Sequence, residues 1–234
     1  ITISIPYIIE FVKLHYPQMS VIASINMSLS SVYQIKHIKE LGASMVVAAR
    51  CVNRNIELLK AMNKEMPIEL LVNSMCLPFC LLYNFHNNIN SHYTENNKLL
   101  SYPFIECYSR YIRDTQQMIC SAWIRPEDLS KYYEIGVRNF KIEGRGANTE
   151  VLLEIIEAYI KMSYSGSVFN LSFTGMRNRK SLGVYLDNRI LDPFTDYFFN
   201  NSIDCSKCGG NDDFCKQFAK KIKIDINTKK KFLI

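Results

Sequence analysis

Ser20-Val-Ile-Ala-Ser-Ile-Asn26, Ser44-Met-Val-Val-Ala-Ala-Arg50 and Ile68-Glu-Leu-Leu-Val-Asn-Ser74 are three apolar, β-branched runs, each beginning 24 residues after the one before. Runs that are apolar at nearly every position, rather than at alternate ones, belong to strands covered on both faces, as in parallel sheets. Between them the apolar spacing becomes helical. Val32, Ile35, Ile38 and Leu41 form one stripe that stops at Gly42, a residue suited to a helix C-terminus. Ile56, Leu59 and Met62 form another ahead of Pro67. Strand and helix alternating at a fixed interval specify a parallel α/β sheet or barrel.

Beyond the third run, from about Cys76 to Cys120, Pro, Asn, His and aromatic residues crowd a long excursion. Excursions at the C-terminal ends of parallel strands are where α/β barrels build their sites. The alternation then resumes. Ser121-Ala-Trp-Ile124 reads as a short strand, and a helix beginning at Pro126 stops at Gly136. Arg138 to Gly144 reads as a further strand, and Thr149 to about Tyr164 as a long amphipathic helix. This makes about five strand–helix units, with the opening Ile-Thr-Ile-Ser-Ile ending an earlier one, and a closed eight-stranded barrel needs more. The expected fold is α/β: a TIM-like (β/α) barrel lacking its N-terminal units over residues 1–165. Residues 166–234, rich in Gly, Asn and aromatics, form a C-terminal extension with a cysteine-containing tail. Opening on Ile1 in a strand-like run, the chain reads as a segment of a longer protein.

At 234 residues and 48% apolar, the chain can bury a large core, which excludes a disordered protein. Much of its net charge of +6 comes from lysines near the end, including Lys229, Lys230 and Lys231, a pattern usual for a solvated terminus. Eight cysteines without a secretory signal fit a reducing cytosol and metal-binding or catalytic thiols. No apolar run approaches the roughly 20 residues of a transmembrane helix. A soluble, cytoplasmic protein without membrane contacts is expected.

Cys76 and Cys80 bracket Pro78 directly after a buried strand; Cys107 and Cys120 follow, the second just before the next extended run. Four thiolates meeting from strand ends and loops suit an iron–sulfur cluster, because soft sulfur ligands match that chemistry. Their spacing matches none of the tight ferredoxin patterns, so structural zinc and separately buried thiols stay open beside the cluster. The tail adds Cys205-Ser-Lys-Cys208 and then Cys215, a second candidate metal site one ligand short of a closed zinc centre. Cys51, at a strand end, reads as a buried thiol.

Lys141, Glu143 and Arg145 alternate along one strand and so project to one side, as a substrate or anion clamp or as an internal ion-pair network. Arg125, Glu127 and Asp128 stand where they could join the same rim. His86 and His92, in the cysteine-rich excursion, are candidate acid–base groups or substrate contacts, or else cap the excursion's own carbonyls.

Leu71-Val-Asn-Ser-Met-Cys76-Leu-Pro-Phe-Cys80, Ile124-Arg-Pro-Glu-Asp-Leu129 and Gly136-Val-Arg-Asn-Phe-Lys-Ile-Glu-Gly-Arg145 resemble, in this order, the peptidase U32 family of collagenase-like proteases. The resemblance implies a TIM-like barrel whose first strands are absent here. It also implies a 4Fe-4S cluster, with Cys76 and Cys80 as the first ligand pair, Cys107 as a later ligand and Cys120 as the fourth. Many members carry their last cysteine after the Asp-Leu corresponding to Asp128-Leu129, where this chain has Ser130. The implied activity is cluster-dependent, oxygen-independent hydroxylation of a small-molecule or RNA substrate, with His86, Lys141, Glu143 and Arg145 near that substrate. A peptidase acting on peptides is the second reading. The chain has no Gly-x-Ser-x-Gly or His-Glu-x-x-His motif, so hydrolysis would rest on a Cys–His pair such as Cys76 with His86. A scaffold that completes a second U32-like subunit is the third.

Overall fold

In the computed structural model, which describes residues 1–77, 79–91, 102–144, 147–172, 183–201, 203–208 and 212–228, the repeating runs become a parallel sheet. Strands β1 (Thr2–Ile3), β2 (Ile22–Ala23), β3 (Met45–Val47), β4 (Ile68–Leu71) and β5 (Asn139–Lys141) lie side by side in chain order. Ile22 pairs with Met45, Val46 with Ile68 and Leu70 with Phe140, all in parallel. Val46 and Val47 are both buried, as are Leu70 and Leu71. Successive side chains point to opposite faces, so the sheet is covered on both, which is why the runs show no alternation.

Helices α1 (Pro6–His15), α2 (Val32–Glu40) and α3 (Ile56–Glu65) link the first four strands and bury the predicted stripes, Ile35 and Ile38 on α2 and Ile56, Leu59 and Met62 on α3. Their starts are set by side chains that satisfy free backbone donors. Ser31 Oγ accepts from Gln34 N at 3.2 Å, and Asn55 Oδ1 from Leu58 N at 3.1 Å. Gly42 closes α2 with φ of 100°, and a Cβ added there would lie 2.7 Å from Lys13 Cγ. Gly42→Ala should therefore destabilise the fold by about 1–3 kcal/mol. Urea unfolding measures this, and an unmoved midpoint would contradict it.

The crossover from β4 to β5 contains α4 (Tyr83–Ser91), α5 (Tyr102–Arg113), α6 (Gln116–Cys120) and α7 (Leu129–Glu134). The strand expected at Ser121–Ile124 is not part of the sheet, because β5 takes the place beside β4. That segment instead lies against the chain beyond β4, with Ile124 N donating to Val72 O at 2.7 Å and Ala122 N to Cys76 O at 3.3 Å. Counted among the five strands in its place is β1, from the opening Ile-Thr-Ile-Ser-Ile.

Next come α8 (Thr149–Lys161), α9 (Phe169–Ser172), β6 (Val184–Tyr185), α10 (Phe194–Asn201), α11 (Asp213–Ala219) and β7 (Lys223–Ile224), with β6 and β7 antiparallel. Arg125, Glu127 and Asp128 do not join a catalytic rim; they clamp this segment. The buried Arg125 guanidinium donates to both oxygens of buried Asp128 at 2.9 and 2.8 Å, to Asn188 O at 2.9 Å and to Asp192 Oδ1 at 3.0 Å. Glu127 Oε1 accepts from Tyr164 N at 2.6 Å and Asn188 Nδ2 at 2.8 Å. Phe194 stacks on Trp123 with ring centroids 5.3 Å apart and meets Phe218 edge-on, joining α10 and α11 to the main core. Among the described residues, no helix is long and apolar enough to cross a membrane.

Candidate functional site

The chain leaves β3 at Val47, β4 at Leu71 and β5 at Lys141, and the residues just beyond these ends carry the polar groups. Arg50 opens a 3-10 turn after β3. Its Nη2 donates to Glu143 Oε2 at 3.2 Å, and its guanidinium lies 5.0 Å from the Tyr83 ring centroid. Among the described residues, Arg50 Nε and Nη1 are buried without a hydrogen-bond partner. Tyr83 is tied to the next strand end, its hydroxyl donating to Ile25 O at 3.1 Å. Fully buried Asn73 bridges two strand ends. It accepts from Glu143 N at 2.9 Å and donates to Glu143 O at 2.9 Å and Leu171 O at 3.2 Å, as a neighbouring strand would.

Cys76 faces this group, with Cys80 and Cys107 beside it. Burial pushes the Cys76 thiol up, the Arg50 cation opposes that, and Glu143 and Cys80 add to it. Burial also pushes the Cys107 thiol up to about 12, against a Tyr111 hydrogen bond, and the charges of Cys76 and Cys80 raise it further. Cys76, Cys80 and Cys107 are therefore close enough to sense one another's charge. His86, half-buried on α4, has its pKa lowered by burial and then by Arg50, so it is a neutral base at pH 7.

Of the groups predicted from sequence, the structure thus sets Cys76, Glu143 and His86 about Arg50, with Cys80 and Cys107 beside Cys76. Lys141 stands apart, with Nζ 3.4 Å from Glu69 Oε2 on β4, so it serves as an ion pair across the sheet. His92, Arg145 and the lysines at 229–231 lie outside the described residues. Cys51 is half-buried with its pKa raised by burial.

Cys120 does not face the other three. It ends α6, which packs on α11: Thr115 Oγ1 donates to Ala219 O at 3.4 Å and Gln116 Nε2 to Asp212 O at 3.3 Å. The Cys120 thiol consequently meets Cys215 in a side-chain hydrogen bond that lowers its pKa. With Cys205, Cys208, Arg54 and Phe198, these two thiols line a cavity of about 230 Å³. The four-thiol set expected from Cys76, Cys80, Cys107 and Cys120 is divided, and Cys120 joins the tail. Among the described residues, no three His, Cys, Asp or Glu side chains already stand in the arrangement a metal ion imposes.

A model of peptidase family U32 matches residues 1–200. The chain belongs to peptidase family U32. An uncharacterized protease of Methanocaldococcus jannaschii is 33% identical over 174 residues, which is 73% of this chain and 50% of that protein. The U32 chain therefore spans about half the length of this curated relative. No solved structure matches it.

Reading the sequence of this U32 chain alone missed Arg50, Arg54 and Asn73. The first two had a signal: a charged residue just past an apolar run sits at a strand's C-terminal end, where parallel sheets place their chemistry. Asn73 had the weaker signal of an amide closing a continuous apolar run.

Proposed function

We propose that this U32 chain is an iron–sulfur-dependent enzyme whose site lies at the C-terminal edge of its parallel sheet. In this reading Cys76, Cys80 and Cys107 hold a 4Fe-4S cluster, and the in-order sheet is an arc of a TIM-like barrel. The observation that carries it is the grouping of three partly buried thiols, Cys76, Cys80 and Cys107, with Cys76 set against Arg50, whose Nε and Nη1 are buried and have no hydrogen-bond partner among the described residues. Unspent buried donors are costly unless an acceptor arrives, and a thiolate-bound cluster or an anionic substrate supplies one. By donor type Cys76, Cys80 and Cys107 suit three of a cluster's four ligands, and binding one requires them to draw together.

When bound, such a cluster supplies electron transfer next to substrate. The chain's own groups do the rest. Arg50 orients negative charge, Glu143 and Tyr83 hold Arg50 in place, and neutral His86 accepts a proton. Oxygen-independent hydroxylation of a small-molecule or RNA substrate belongs to this reading. So do a cytoplasmic setting and a second U32-like subunit as partner. Lys141, paired to Glu69, ties β5 to β4.

Anaerobic purification with iron and sulfide analysis tests the proposal. Wild type should carry iron and sulfide in equal amounts, and Cys76→Ser and Cys107→Ser should each lose most of both. A folded wild type that stays iron-free after anaerobic reconstitution would refute the cluster. Peptide hydrolysis is favoured by the name of the Methanocaldococcus relative. It sits poorly with buried thiols whose pKa values are raised, because a nucleophilic cysteine needs the opposite shift. Cleavage of denatured collagen that disappears in Cys76→Ala, with metal content unchanged, would establish it instead.

A further inference from the structure

Cys120, Cys205, Cys208 and Cys215 reach one cavity from three separate places: the end of α6, the turn at residues 203–208 and α11. From the sequence, the tail cysteines were one ligand short of a closed metal site, and the fold supplies the fourth from 85 residues upstream of Cys205. We propose that these four thiols bind a single zinc ion, which fastens the C-terminal segment to α6. The proposal stands apart from the cluster at the sheet edge and shares no cysteine with it.

Three observations support a single ion. First, the Cys120 and Cys215 thiols are in hydrogen-bond contact. Tetrahedral zinc with Zn–S bonds of about 2.3 Å holds its sulfurs about 3.8 Å apart, so these two need little movement, while Cys205 and Cys208 must draw in, since no three of the four already form a metal-holding group. A cubane cluster sets a separate iron under each cysteine and keeps those sulfurs farther apart. Second, Cys205 and Cys208 form a C-x2-C turn that bends back on itself, Cys208 Sγ donating to Cys205 O at 3.5 Å. This is the local geometry by which a pair of thiols grips one ion.

Third, Arg54 is 6% exposed and forms no ion pair with a carboxylate among the described residues. It donates to the carbonyls of Ile119 at 2.6 Å and Trp123 at 3.4 Å and lies against the Trp123, Phe194 and Phe198 rings. Neutral carbonyls and ring faces do not cancel a buried charge. A zinc tetrathiolate has two net negative charges, one of which Arg54 offsets, and the thiol protons are released to solvent on binding. The need for a fastening is also plain: α6 and α11 are helices of 5 and 7 residues, too short to persist without tertiary support.

The test is metal content of the full chain after equilibration with Zn(II) and removal of excess. Wild type should retain one zinc per chain, with X-ray absorption showing sulfur neighbours only, at about 2.3 Å. Cys120→Ser and Cys208→Ser should each lose zinc at least tenfold more readily to a chelator. Cys76→Ser and Cys51→Ser should hold it as wild type does. Co(II) substitution of wild type reads the site without any mutation and should give tetrahedral d–d bands with sulfur-to-metal charge transfer. Failure of wild type to retain zinc, nitrogen or oxygen neighbours in its absorption spectrum, or undiminished zinc in Cys120→Ser would overturn the proposal. So would iron lost in Cys208→Ser and kept in Cys76→Ser, which would assign a cluster to the tail. Iron that follows Cys76 while zinc follows Cys208 separates the two sites.

Discussion

Arg125→Ala is expected to lower the free energy of unfolding by about 3–5 kcal/mol, the usual cost of breaking a buried ion pair from one side. The guanidinium is 2% exposed, and so is Asp128, which it grips with two nitrogens. Truncation leaves the Asp128 carboxylate buried, with only the Thr195 hydroxyl, at 2.5 Å, still donating to it. It also orphans Asn188 O and frees Asp192, so the C-terminal segment loses its anchor at the same time. Most small domains have only about 5–15 kcal/mol in hand, so the variant should sit near the edge of folding. Asp128→Leu alone should be comparably harmful. Arg125→Met combined with Asp128→Leu should recover much of the loss, because removing both charges removes the desolvation cost as well. Urea unfolding of the four proteins decides the matter, and a single-mutant loss below about 1 kcal/mol would show that the pair is not a clamp.

Asn73→Ala should cost about 2–5 kcal/mol, since it leaves Glu143 N and two carbonyls buried without their partners. The loss differs in kind from that of Arg125. Asn73 fixes the backbone of Glu143, and Glu143 in turn holds Arg50 at 3.2 Å. With the proposed cluster at this site, a variant that still folds should hold iron less tightly than wild type, although residue 73 contributes no ligand. Asn73→Asp keeps the acceptor for Glu143 N but replaces two donors with a charge beside Glu143, so it should be no better than alanine. Iron content and unfolding midpoint measured on the same preparations check this. Normal values for both in Asn73→Ala would remove Asn73 from the architecture of the site.

The strands were legible because burial on both faces removes all alternation, and Val46 with Val47 or Leu70 with Leu71 leaves that mark directly in the residue order. Family U32 was legible from short ordered motifs, above all the Lys-Ile-Glu-Gly-Arg run that begins on β5. The segment Ser121–Ile124 misled because a buried extended run looks the same whether or not it joins a sheet; only the competition between it and β5 for the edge of β4 decides. Lys141 ends β5 and Glu143 lies beyond it, and Lys141 found Glu69 on the adjacent strand, a contact fixed by register rather than by spacing. The partition of the thiols was hidden for a similar reason. Whether Cys120 turns toward Cys76 or toward Cys215 depends on which helix packs on α6, and that helix lies about a hundred residues further along the chain.

One short turn carries two guanidiniums that face cysteines, Arg50 toward Cys76 and Arg54 toward Cys120. Arg50 and Arg54 flank Asn53, whose side chain donates to Leu71 O at 2.9 Å and Ala122 O at 2.7 Å, while Tyr132 holds its carbonyl at 2.7 Å. The turn is thus a rigid mount with one cation aimed at Cys76 and the other at Cys120. Two centres of negative charge in so small a protein would ordinarily repel, and filling one would weaken the other. If both proposed groups bind, the fixed positive charge set against each lessens that repulsion and weakens the coupling between the two occupancies. Removing either arginine should make them antagonistic.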